Sequence, residues 1–159
     1  MHTRRHLSKS TALALLLAMT LATPALARRV AVLRFGGVHG SGARARIARA
    51  LRSRNTVLEA TAIPEACEDL GISMSKGENL ARCAKKARAA AVIGGAAKAR
   101  KLTLVIFSGK TGQVVKTGHV RWSAFPSAKM VRRAMRLVRR GLAKTPRTIG
   151  STPRPTPQP

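Results

Sequence analysis

Acid is nearly absent from this chain. Among its 159 residues five are Asp or Glu, against 31 Lys and Arg, giving a formal net charge of +26. Tyr is missing, cysteine occurs twice, and the aromatic side chains are three Phe and one Trp. Each shortage removes a class of chemistry. With Asp69 as the one aspartate, a Ser/His/Asp set would have to join it to His39 or His119, and neither histidine stands in a nucleophile motif. A paired-carboxylate mechanism could draw only on Glu65, Glu68 and Asp69, which read instead as a solvated helix start, where acids suit the helix dipole. Two cysteines with no histidine pair nearby make a poor zinc site. Proteins that bind single-stranded nucleic acid stack bases on sheet aromatics. Here Phe35 and Phe107 fall at expected core positions, so Trp122 and Phe125 are the only aromatics expected to be exposed.

Two terminal stretches stand apart in composition. Residues 1–27 join a basic opening, an apolar stretch of roughly a dozen residues and an Ala-Leu-Ala ending at Ala27, the pattern of a cleaved export signal. That stretch falls short of the about 20 apolar residues a comfortable membrane span needs, although a retained N-terminal anchor is the competing reading. No Cys follows the expected cleavage point, so a lipid anchor is not expected, and the location implied is periplasmic or secreted. Residues 145–159 carry the run TPRPTPQP and have little to bury, which predicts an extended, polyproline-like tail. Residues 28–144 remain, about the size of one ordinary domain. No internal repeat is visible.

What is abundant is positive charge, and its distribution is uneven. All five carboxylates, Glu59, Glu65, Glu68, Asp69 and Glu78, fall within twenty residues, and everything after Glu78 carries Lys and Arg only. Such a chain is suited to polyanions such as nucleic acid, anionic lipid or lipopolysaccharide, with strong salt dependence. G+C-rich coding also enriches Ala and Arg, and it competes as the explanation for individual arginines. It does not exclude Asp and Glu, however, so the lack of acid is the harder fact to dismiss.

Periodicity gives the elements. The run Val30 to Phe35, closed by two glycines, predicts a buried strand, and GARARIARALRSRN a helix with Ala43, Ile47, Ala50 and Leu51 on one stripe. TVLEATAI, from Thr56 to Ile63, reads as a second strand; Pro64 then opens a short helix that Gly71 stops. Leu80, Cys83, Ala84 and Ala87 recur at helical spacing. After them AAVIGGAAKAR, KLTLVIFSG and QVVKTGHVRWSA read as three strands, the last two joined as a hairpin through Ser108 to Gly112. Pro126 and Ser127 start a final helix with Val131, Met135, Val138 and Leu142 on its apolar stripe. The order β-α-β-α-α-β-β-β-α predicts an α/β (α+β) domain, a mixed sheet of about five strands covered by helices.

Three stretches invite functional readings. Gly37 and Gly42 have the spacing of a phosphate-binding loop, but Ala43 and Arg44 stand where Lys and Ser or Thr would be required. Nucleotide hydrolysis is therefore not expected, and neither a metal nor a cofactor is called for. The loop is either a strand-to-helix connection with structural glycines or a weak anion site served by His39 and Arg44. On the last helix Arg132, Arg133, Arg136 and Arg140 are candidate contacts for an anionic partner. They either form the solvated face of a covering helix or lie against an anionic membrane surface. Cys67 and Cys83 in an exported chain point to a disulfide, with two free buried thiols as the alternative.

RVAVLRFGG, the Ala-rich helix running into AVIGG, the strand KLTLVIF and the turn SGKTGQVV together resemble the N-terminal domain of the translocation protein TolB. They also resemble related curli-secretion-channel-like and penicillin-binding-protein-activator-like domains of bacterial envelopes. The resemblance covers about Val30 to Ala143. It implies a non-catalytic envelope domain that binds other proteins or copies of itself, with no small-molecule substrate. Nucleic acid is not the expected partner, and an anionic surface of lipid or lipopolysaccharide is a further candidate. The chain departs from the family in having no lipidation Cys and no β-propeller after the domain.

Overall fold

In the computed structural model, residues 27–122 and 127–145 are described. The leader-like segment before Ala27, Phe125, Pro126 and the Pro-rich tail beyond Thr145 lie outside them. Nine elements follow in the expected order: β1 (Arg28–Val32), α1 (Gly40–Arg52), β2 (Asn55–Leu58), α2 (Ala62–Glu68), α3 (Gly77–Lys86), β3 (Ala91–Lys98), β4 (Lys101–Ser108), β5 (Val114–Arg121) and α4 (Ala128–Leu142). The sheet is mixed, in the order β2-β1-β3-β4-β5. β1 runs parallel to both β2 and β3, with Val30 opposite Val57 and Ala31 opposite Val92. The last three strands form an antiparallel meander, with Ile93 opposite Ile106 and Leu104 opposite Gly118. Early helical crossovers impose parallel pairing and the tight late turns antiparallel pairing.

Side chains alternate across a strand, so the sheet has two packed faces. On one face Val30, Val32, Ile93, Leu104, Ile106 and Val120 meet Ile47 and Leu51 of α1 and Met130, Met135 and Val138 of α4. On the other, Ala31 and Val92 meet Ile63 and Cys67 of α2 and Leu80, Cys83 and Ala84 of α3. The result is a three-layer domain with α1 and α4 on one side and α2 and α3 on the other. Ser127 caps α4, its Oγ accepting from the Met130 amide at 3.2 Å. Cys67 and Cys83 form a disulfide between α2 and α3, their Cα atoms 4.9 Å apart.

Several boundaries differ from expectation. α1 starts at Gly40 rather than Gly42, and α2 at Ala62, so Pro64 lies inside its first turn, where a proline loses no helical bond. Of the acidic group, only Glu65 stands in the first turn of α2. Glu68 ends the helix and Asp69 caps its C-terminus, where Asp69 pairs with Lys86 at 2.8 Å. Trp122, expected at the surface, is 8% exposed because it follows β5 into the core shared with α1 and α4.

The glycine loop is spent on the fold. The Gly36 amide donates to Gly95 O and the Ala97 amide to Gly36 O, extending the β1–β3 contact past the strand end. Gly37 has φ +89, and a Cβ there would stand 2.1 Å from the carbonyl oxygen of Ala97, a backbone atom that cannot swing aside. Gly37→Ala is therefore expected to cost at least about 2 kcal/mol in a urea titration, from left-handed strain plus that clash.

A basic cleft between the last helix and the edge strand

The sheet confines the acids to one side, where α3 also carries Arg82, Lys85 and Lys86. α1 carries Arg44, Arg46, Arg49 and Arg52, and α4 carries Lys129, Arg132, Arg133, Arg136, Arg139 and Arg140; neither helix contains an acid. Glu65, Glu68, Asp69 and Glu78 lie on or beside α2 and α3 across the sheet, and Glu59 sits in the connection from β2 to α2. Among the described residues Lys86–Asp69 is the ion pair present, and it too belongs to the α2/α3 side. No carboxylate neutralises the α1/α4 layer from within it.

Among the described residues, two of the clefts that flank α4 are lined by several of its arginines. One, about 460 Å³, runs between α4 and β5 and is lined by Lys116, His119 and Arg121 from the strand and Arg133, Arg136 and Arg140 from the helix. Leu137 of α4 lies over Gly118, where a Cβ would stand 2.0 Å from its Cδ1 and would push that side chain aside. The other, about 610 Å³, lies toward α1. Ala50, Val131 and Met135 give it an apolar floor, and Lys129, Arg132 and Arg139 stand among its cationic wall residues.

The candidate residues thus divide. Arg140 lines the β5 cleft and Arg132 the α1 cleft, whereas Arg133 and Arg136 stand on the ridge between and border both. Arg44 is half-buried, and its Nε donates to the Val32 carbonyl at 2.9 Å, tying α1 to the end of β1. His39, the residue preceding α1, is exposed and meets Trp122 edge-on at 6.3 Å. Lys116 and Arg121 were not singled out by sequence reasoning. The alternation of β5 gave no sign of which helix would lie beside it, so only the arginine spacing along α4 was readable. Arg28, the first residue of β1, reaches the other end of α4: its guanidinium donates to the carbonyls of Leu142 and, at 3.1 Å, Thr145. Leu142 O, the last carbonyl of α4, also accepts from the Thr145 amide at 3.0 Å and hydroxyl at 2.9 Å, and a cation suits this end of the helix dipole.

None of the described aromatics is exposed: Phe35 and Trp122 are buried and Phe107 half-buried. A base-stacking platform is thus missing from the described surface. The described residues hold no group of three or more His, Cys, Asp or Glu placed to bind a metal ion. Asp69 lies on the α2 side of the sheet, while His119 borders the α4 cleft, so they do not assemble into a catalytic set. No helix among the described residues is long and apolar enough to cross a membrane.

No protein-family model matches the chain, and no curated protein matches it in sequence. Solved structures do match in fold. The C-terminal domain of LpoB from Escherichia coli aligns with a TM-score of 0.52 at 17% identity, covering 69% of this chain and 93% of that one. Its counterpart from Salmonella enterica gives 0.51 at 16% identity, over 70% and 94%. Lipoprotein GNA1162 from Neisseria meningitidis aligns at 0.45 and 14% identity over 73% and 96%, too loosely to support a fold assignment. At these identities the LpoB likeness is one of fold.

Proposed function

We propose that this chain is an exported, non-catalytic domain of the bacterial cell envelope that works by binding a protein partner, with the α1/α4 layer as its contact surface. The observation that carries this reading is the charge segregation: ten cationic side chains and no carboxylate on the two helices covering one face. Unneutralised like charge on one layer costs stability and gains a long-range attraction for acidic partners. The leader-like residues 1–27, the disulfide and the fold shared with LpoB C-terminal domains support the envelope setting. The sequence resemblance supports binding rather than catalysis. Residues 28–144 would act as the domain, and residues 145–159 as an extended tail.

The α1 cleft favours a second reading. Its apolar floor and cationic rim fit an amphiphilic anion, such as a phosphorylated lipid or lipopolysaccharide. One experiment separates the two: crosslinked envelope extract is captured on the immobilised domain at rising salt, beside heparin and lipopolysaccharide columns. The protein-partner reading expects a defined protein still held at about 0.3 M salt, where the Debye length is shorter than the cleft and only close contacts persist. Release of all protein by moderate salt, with lipopolysaccharide retained, would overturn it in favour of the second.

A further inference from the structure

β5 is an edge strand, eight residues long, that among the described residues pairs with β4 alone. A row of main-chain donors and acceptors on such an edge is a ready template for another strand. Resting on the binding function proposed above, we infer that β5 takes up an acidic, extended segment of the partner protein by strand addition.

The occupant follows from charge and backbone chemistry. Lys116 and Val120 share the α4-facing side of β5 with Gly118, while Thr117, His119 and Arg121 alternate with them, exposed, and border the cleft along the strand edge. Along the first side stand Arg133, Arg136 and Arg140, so an added strand would meet cations at alternate positions. Carboxylates at every second residue match that spacing, and arginine binds them through two parallel hydrogen bonds. A second copy of this chain would bring another edge flanked by Lys116, Arg121 and the α4 arginines against this one, and like charge across a strand pair is destabilising. The chain's own last residues, 146–159, are basic and rich in proline, which cannot donate to a ladder. The pairing irregularity between Ile106 and Phe107 puts Lys116 opposite Ile106 and Val114 opposite Phe107, leaving Val115 unpaired. It twists the start of β5, so the part free to accept a strand is Lys116 to Arg121, beside the cleft.

The test uses the full domain and a synthetic peptide as long as β5, alternating Glu with Thr. The control peptide has the same sequence with alternate amides N-methylated, in both phases, which keeps the charge and removes ladder donors. The expected result is saturable binding of the first peptide, slowed amide exchange along Lys116 to Arg121, and at least about tenfold weaker binding of one N-methylated phase. Equal binding of all three peptides with unchanged exchange in β5 would overturn strand addition. Capture of an envelope protein that still depended on Arg133, Arg136 and Arg140 would then leave the binding function standing. Capture indifferent to those arginines would show that the reading itself had failed.

Discussion

Replacing Arg133, Arg136 and Arg140 together by Glu will weaken capture of the envelope partner by about a hundredfold at low salt, while the domain melts no lower than the original. The size follows from pairwise terms. Each exposed ion pair contributes about 0.5 kcal/mol, and reversal exchanges an attraction for a repulsion at every site, roughly 3 kcal/mol in all, or about two decades of affinity. The effect must shrink as salt is raised, since these groups are solvated. Surface plasmon resonance at two ionic strengths measures both quantities. Unchanged binding at low salt would remove α4 from the interface.

The stability half of that prediction is the more discriminating. Arg132, Arg136 and Arg140 follow one another at intervals of four, and Arg133, Arg136 and Arg139 at intervals of three, a like-charge ladder that costs a few tenths of a kcal/mol per pair. In the triple variant a Glu at 133 faces Lys129 and a Glu at 136 faces Arg132 and Arg139, and these attractive pairs outnumber the like-charge pairs left at 133/136 and 136/140. Glu is also a good helix former, so nothing in the fold is lost. A surface series that weakens its own helix and that no buried contact requires is the pattern of residues held for binding. If the reversed variant melted well below the original, the arginines would have a packing role that their exposure does not suggest.

How far the sequence could be read depends on the range of the forces involved. The alternation of β4, with Leu102, Leu104 and Ile106 buried and Thr103 and Val105 half-covered, is local and was legible. So was the stripe of α4, because Val131, Met135, Val138 and Leu142 recur at helical spacing whatever they pack against. The glycine loop was legible in part: the missing Lys and Thr argued against a phosphate site, but only the approach of Ala97 O to Gly37 shows why glycine is required. The cleft was not legible, since it depends on which face of the sheet each helix covers. Lys116 and Arg121 gain meaning only when α4 returns across β5 and lays Leu137 over Gly118. Trp122 misled for the same reason, a strand end being outward in sequence yet inward where a helix and a loop close over it.

Removing the disulfide will cost about 3 kcal/mol and lower the melting temperature by roughly 15 °C, without touching partner binding. Cys67 and Cys83 are 16 residues apart, and closing a loop of that length restricts the unfolded chain by about that amount. The location makes the bond matter. α2 has 7 residues and α3 has 10, too short to persist alone, and both rest on a smaller core than the one under α1 and α4. Cys67→Ala with Cys83→Ala is the informative pair, because Ser would add the separate cost of a buried hydroxyl at sites 4% and 0% exposed. Hydrogen exchange should show α2 and α3 opening ahead of β3 and β4 in that variant, since their share of the core no longer holds them. Binding should survive because the bond lies across the sheet from α4. A melt unchanged by reduction would mean that native packing alone closes the α2–α3 loop. If the loss is as large as expected, the reduced chain gives up a large fraction of a typical domain's margin of about 5–15 kcal/mol. The fold would then reach full stability only in an oxidising compartment, tying the two cysteines to the same destination as the leader-like first residues.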